Sequence, residues 1–191
     1  MAGGWILDFK SKKILQNGFL LAGGLVLGVI LGLVIVLMGS SRLAMPNQIP
    51  PPMIGNLLKS FSLQDLEGDT FTLEDHYGTP MVINFWATWC KPCENEMPLL
   101  NKIATEYSEE ILVVGVDVEE DLATITNFVT SHQIEFTILT DTNGTIADQY
   151  LVNGFPTTFF VDKSGVLQAI RIGELDEAML WDYLEKVEVL P

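Results

Sequence analysis

From Phe61 onward, short apolar runs alternate with stretches whose apolar residues recur every three or four positions. Phe61-Ser62-Leu63 and Thr70-Phe71-Thr72, on either side of Glu67-Gly68-Asp69, predict a small hairpin. Met81–Trp86 is an apolar run of strand length with one polar interruption, Asn84. After it, Met97, Leu100, Ala104 and Tyr107 follow Cys93 at steps of four, three, four and three, so one helical stripe carries Cys93 towards the core. Pro98 removes a backbone donor inside that helix, and a kink is expected there. Ile111–Val116 and Phe136–Leu139 predict two further strands, separated by a helix that Asp121 caps and Leu122, Ile125, Phe128 and Val129 mark. A short helix is expected from Thr145 to Tyr150. Thr157–Val161 and Val166–Ile172, joined by Asp162-Lys163-Ser164-Gly165, then predict an antiparallel hairpin. Asp176 caps a closing helix expected to turn Met179, Leu180, Tyr183, Leu184 and Val187 inward. Alternation of this kind, ending in a hairpin, implies an α/β fold with a mixed central sheet and helices on both faces.

The start of the chain has a different pattern. Gly18 to Gly39 is an uncharged, strongly apolar run that would span about 33 Å as a helix, enough to cross the hydrocarbon core of a bilayer. A cleaved signal peptide would have a shorter apolar region, about 7–15 residues, followed by small residues. Here Arg42 and Leu43 interrupt any small-residue pattern after the run, which favours an uncleaved anchor. Gly24, Gly28 and Gly32 share one face of that helix; such faces can pair helices, but ordinary glycine in a membrane span explains them as well. Lys10, Lys12 and Lys13 precede the run and only Arg42 closely follows it, so residues 1–17 are expected to be cytoplasmic and the bulk of the chain outside. The expected organisation is an N-terminus over 1–17, a transmembrane anchor over 18–39, a linker over 40–53 and a folded domain over 54–191. Pro50-Pro51-Pro52 makes the linker extended and semi-rigid.

Charge narrows the partners. The whole chain carries a formal net charge of −15, and from Leu43 onward 6 Lys and Arg oppose 24 Asp and Glu, a net −18. So acidic a domain is repelled by nucleic acid and by anionic headgroups, which excludes a nucleic-acid-binding role.

The chemistry lies in Cys90-Lys91-Pro92-Cys93, which holds both cysteines of the chain and sits between the Met81–Trp86 strand and the helix after it. A cysteine in the first turn of a helix meets unpaired N–H groups and the positive end of the helix dipole, both of which favour thiolate. The thiolate is the nucleophile of thiol–disulfide exchange, and a second thiol three residues on can resolve the mixed disulfide. Cys90 is thus the expected attacker and Cys93 the resolver. A purely structural disulfide closing so short a loop would add only about 2 kcal/mol. A zinc site would need His76 and His132, which lack ligand spacing. Lys91 places a cation beside Cys90 and is a candidate thiolate stabiliser.

Phe85-Trp86-Ala87-Thr88-Trp89-Cys90-Lys91-Pro92-Cys93, with Glu96 and Pro98 after it and Gly154-Phe155-Pro156-Thr157-Thr158-Phe159 later, resembles the membrane-anchored TlpA/ResA-like thioredoxin family. The resemblance covers about residues 53–189. It implies a thioredoxin-like fold with an N-terminal hairpin and an extra strand–helix unit at about 122–143. It implies that Pro156 is cis and faces the disulfide, and that Phe155, Pro156 and Trp89 bind substrate. Plain thioredoxins carry a buried Asp where this chain has Asn84, so Glu96 becomes the candidate proton relay to Cys93. The resemblance further implies a cofactor-free protein-disulfide reductase outside the cytoplasm at the bacterial cell membrane, working through a reversible Cys90–Cys93 disulfide. Its substrates would be thiol or disulfide proteins such as apocytochrome c, and a membrane thiol transporter would supply electrons. Two other classes fit less well. A peroxiredoxin-like peroxidase places Thr three residues before its cysteine, whereas Thr88 is two before Cys90. A copper-binding module would want wider cysteine spacing and a nearby histidine.

Overall fold

The computed structural model describes residues 51–188 together with Leu33. The expected segment 1–17, the anchor 18–39 apart from Leu33, and most of the linker 40–53 lie outside the described residues. Among the described residues no helix is long and apolar enough to cross a membrane.

The elements run β1 (Ser62–Asp65), β2 (Thr70–Thr72), a 3-10 turn (Leu73–His76), β3 (Met81–Trp86), α1 (Lys91–Glu106), β4 (Leu112–Val118), α2 (Leu122–Ser131), β5 (Thr137–Asp141), α3 (Thr145–Gln149), β6 (Thr157–Val161), β7 (Leu167–Ile172) and α4 (Glu177–Lys186). They build one seven-stranded sheet in the order β2-β1-β5-β4-β3-β6-β7. The central strands β5, β4 and β3 are parallel. β6 and β7 add antiparallel to one side, and the β1–β2 hairpin adds antiparallel to β5 on the other. The mixed sheet inferred from the sequence is therefore present, and α2–β5 is the strand–helix unit inserted between β4 and α3.

β3 lies mid-sheet, and all six of its residues are buried, as its near-continuous apolar run requires. Its side chains divide between two cores. Val82 and Trp86 pack under α1 and α4 with Met97, Leu100, Ile103, Leu180 and Leu184. Met81, Ile83 and Phe85 pack on the other face with Leu58, Leu73, Ile146 and Tyr150. Helices thus cover both faces, three on the first and only short α3 on the second. Trp86 fits because β4 places Gly115 beside it: a Cβ there would sit 3.0 Å from the indole Nε1 and 2.7 Å from Ile138 Cδ1.

Asp121 and Asp176 cap α2 and α4 by accepting from the Thr124 and Met179 N–H groups. α1 runs unbroken through Pro98, which faces solvent. Two apolar assignments change. Met179 is exposed rather than inward, because the face of α4 towards the sheet is filled by Leu180 and Leu184. On α2 only Ile125 is fully buried, and Leu122, in the first turn, is exposed.

Candidate active site

β3 ends at Trp86, and Ala87-Thr88-Trp89 carries the chain into α1, where Cys90 takes the N-cap position with extended backbone (φ −84°, ψ 101°). Pro92 fits the first turn because its missing N–H would have had no helical partner. Cys90 and Cys93 form a disulfide. The Cys93 N–H donates to Cys90 Sγ at 3.2 Å. On reduction that N–H and the α1 dipole remain aimed at Cys90 Sγ, the arrangement that lowers a thiol pKa. Cys90 is 5 % exposed and Cys93 has no exposure, so an incoming sulfur meets Cys90.

β6 brings the second loop to the same end of the sheet. Phe85 pairs with Thr157 in the antiparallel β3–β6 ladder, so Phe155 and Pro156 lie just beyond the end of β3, beside the loop that carries Cys90. The Phe155–Pro156 peptide bond is cis. Pro156 is buried; its carbonyl accepts from the Gly173 N–H at 2.8 Å, and the Thr157 hydroxyl donates to the Gly154 carbonyl at 2.7 Å. The half-buried Phe155 ring meets Trp89 edge-on at 5.8 Å between centroids, joining the two loops. Trp89 itself is 70 % exposed, presenting a broad apolar surface next to the disulfide.

Beneath the disulfide lies a buried polar cluster. Glu96 is one helical turn from Cys93 on α1, and only 1 % exposed. Its Oε1 accepts from Asn84 Nδ2 and its Oε2 from the Leu175 N–H, each at 2.7 Å. Asn84 Nδ2 also donates to Thr158 Oγ1 at 2.9 Å, while Asn84 Oδ1 is buried without a partner. Burial pushes the Glu96 carboxyl up to about 7; the two donors and Arg171 pull against it, and Glu174 adds to it. The group therefore gains and loses a proton near neutral pH, one helical turn from Cys93.

Lys91 sits differently. Its side chain is 71 % exposed and its Nζ lies 2.9 Å from Glu94 Oε1, holding that carboxyl below its usual range. His132 Nε2 approaches the same oxygen at 3.7 Å. Glu94 therefore opposes the field that Lys91 exerts at Cys90.

The AhpC/TSA family profile matches residues 54–170. The chain belongs to the AhpC/TSA family. Its relatives include the thiol-disulfide oxidoreductase ResA of Bacillus thuringiensis subsp. konkukian (strain 97-27), 38 % identical over 136 residues that cover 70 % of this chain and 78 % of the relative. The thioredoxin-like protein YneN of Bacillus subtilis (strain 168) is 39 % identical over 124 residues, 63 % of this chain and 72 % of YneN. Among solved structures, a putative thiol:disulfide interchange protein DsbE from Chlorobium tepidum superposes with a TM-score of 0.66 at 27 % identity, covering 71 % of this chain and 99 % of that one. MTB dsbF superposes with a TM-score of 0.62 at 30 % identity, over 66 % and 94 % of the two chains. This member of the AhpC/TSA family is a thioredoxin-like thiol–disulfide oxidoreductase of the ResA/DsbE type, and it acts through its cysteine pair.

One group in this AhpC/TSA-family site escapes sequence reasoning. Glu120, after β4, accepts from the Thr88 N–H with Oε2 at 2.5 Å and from the Thr88 hydroxyl with Oε1 at 2.6 Å. Thr88 is two residues before Cys90, so Glu120 pins the loop that carries Cys90. The acidic run from Asp117 to Asp121 is visible in the sequence, but only the β3–β4 register, in which Trp86 pairs with Asp117, brings it to that loop. His76 and His132 stack on Phe71 and Phe128 respectively. Among the described residues no group of three or more His, Cys, Asp or Glu could hold a metal ion.

Proposed function

We propose that this protein is a membrane-tethered, extracytoplasmic protein-disulfide reductase. Cys90 attacks a substrate disulfide, forming a mixed disulfide and releasing one substrate thiolate. Cys93 then attacks Cys90 Sγ, closing the Cys90–Cys93 disulfide and releasing the second substrate thiol. Two electrons pass to the substrate, and a membrane thiol transporter returns them to the pair. Glu96 takes the Cys93 proton as that thiol becomes the attacking thiolate. The observation that carries this reading is a nearly buried Cys90 at the start of α1, with Cys93 fully buried behind it and a carboxyl that titrates near neutrality one turn further on. The Phe155 N–H and carbonyl, which take part in no hydrogen bond among the described residues, offer strand-like pairing to a substrate segment beside Trp89. Lys91 tunes the Cys90 thiolate as far as its pairing with Glu94 allows.

The tether rests on the apolar run 18–39 and the lysines before it, which also orient the catalytic domain outward. At the bacterial cell membrane, apocytochrome c cysteines awaiting haem attachment are the proposed substrate class. Reduction is the proposed direction. Cys93→Ser tests the exchange: it should stall mixed disulfides between Cys90 and its substrates, separable on non-reducing gels. Recovery of no Cys90-linked protein would overturn the mechanism, and peroxide consumption by the purified protein without another thiol protein would favour a peroxidase.

A further inference from the structure

Asp117 is the penultimate residue of β4, on the sheet face that carries Trp86 and α1, in register with Trp86 on β3 and Thr140 on β5. It is 1 % exposed, and both of its carboxyl oxygens are buried without a partner. An ionised carboxylate in that position would forfeit its hydration for nothing, a cost proteins avoid by neutralising the group. Among the described residues its one charged neighbour is Glu120, half-buried, whose two oxygens hold Thr88. Two ionised carboxylates are both acceptors with no donor between them, so a contact between them requires a proton on one. Glu120 already accepts twice from Thr88, which leaves Asp117 to carry the proton and donate it.

We propose that Asp117 and Glu120 share one proton, and that this acid pair is a positioning device which holds the Cys90 loop through Thr88. Burial, and next to it Glu120, push the Asp117 carboxyl up to about 8, so the proton is retained at neutral pH. Its loss leaves two adjacent negative charges, of which Glu120 is the one near enough to solvent to move away. Thr88 is then released two residues before the nucleophile.

The surroundings leave no other charge to set this equilibrium. Among the described residues, β3 supplies Trp86 and its loop supplies Thr88, β5 supplies Thr140, and α2 supplies Phe128 against Trp86. Glu119 lies against Gly144, and Asp121 caps α2. Lys91, Glu94 and His132 form their own cluster, and Glu96 is held by Asn84 and Leu175.

The proposal's catalytic meaning rests on the exchange reading, but its test does not. In the oxidised full-length chain in detergent no cysteine titrates, so the Thr88 amide resonance can be followed by NMR from pH 6 to 10. An inflection near pH 8 is expected. It should persist in Glu96→Gln and vanish in Asp117→Asn, whose amide still donates to Glu120 but cannot titrate. In Asp117→Val, which lacks any donor, the Thr88 amide should exchange with solvent about tenfold faster at pH 7, as the weakening of one charge-assisted hydrogen bond implies. Glu120→Gln replaces the repelling carboxylate by an amide that can donate to ionised Asp117, so the inflection should move to lower pH, a second readout should the Asp117 variants fold poorly. A flat wild-type profile, an inflection retained in Asp117→Asn, or one unmoved in Glu120→Gln overturns the acid pair and leaves the exchange mechanism standing. Failure to trap a substrate on Cys90 would have the opposite effect.

Discussion

Replacing Glu96 by glutamine should make the oxidised protein more stable at neutral pH, by an amount that grows with pH and then levels off. The Glu96 carboxyl is raised from 4.5 to about 7, chiefly by burial. A raised carboxyl pKa means that the folded state binds more protons than the unfolded state between those values. Stability is then fully present below about pH 4.5 and is lost as pH rises through about 7. With about 1.36 kcal/mol per pKa unit, the loss attributable to Glu96 is about 3 kcal/mol. The glutamine side chain of the Glu96→Gln variant would not ionise, and its hydrogen bonds can be met. Its carbonyl can accept from the Leu175 N–H, and its amide can donate to Asn84 Oδ1, which now has no partner. That requires the Asn84 amide to turn over, with the Thr158 hydroxyl reversing to act as donor. Urea unfolding of the oxidised wild type and variant from pH 4.5 to 8 measures the difference, in which contributions from other titrating groups, Asp117 included, cancel. The stability difference should climb towards about 3 kcal/mol by pH 7.5. A difference that stays flat with pH would refute the claim that burial holds a proton on Glu96.

Two further outcomes follow from neighbouring contacts. Gly115→Ala drives a methyl to 2.7 Å from Ile138 Cδ1 and 3.0 Å from Trp86 Nε1 in a filled core, so denaturant unfolding should show a loss of about 1–3 kcal/mol; an unchanged midpoint would mean that this packing is loose. Glu94→Gln releases Lys91 from its ion pair, so the Cys90 thiol pKa, followed by thiolate absorbance in the reduced protein, should fall by roughly half a unit, the small effect expected of a solvent-screened pair. No fall, or an equal fall in a Lys91→Ala, Glu94→Gln double variant, would remove Lys91 from the account of Cys90 reactivity.

The elements were largely legible because each carries a local signal: the apolar run at Met81–Trp86, the capping residues Asp121 and Asp176, and the Asp162–Gly165 turn. Strand ends shifted by one or two residues, since periodicity marks buried positions and not where a ladder stops; β4 runs on to Val118 and β5 to Asp141. The docking of the β1–β2 hairpin against β5 carries no local signal, because it joins residues some seventy positions apart. Met179 reads as inward by spacing alone, yet Leu180 and Leu184 already fill that face of α4. At the site, the cysteines, Glu96 and Pro156 stand in recognisable motifs. Thr88, Asp117 and Glu120 do not, since a side-chain bond across 32 residues depends on strand register and not on spacing. The same holds for Asn84, whose role as donor to Glu96 becomes visible only when β3 and α1 are packed together.

The central claim is that Cys90 is the activated, accessible thiol and Cys93 the protected one. Alkylation of the fully reduced protein with iodoacetamide at a series of pH values, with the label located by mass spectrometry, tests it most directly. Cys90 should be labelled with an apparent pKa clearly below the ordinary thiol value of about 8.5, while Cys93 stays unmodified until the protein is unfolded. Labelling of Cys93 first, or a Cys90 that titrates at or above about 8.5, would contradict the account.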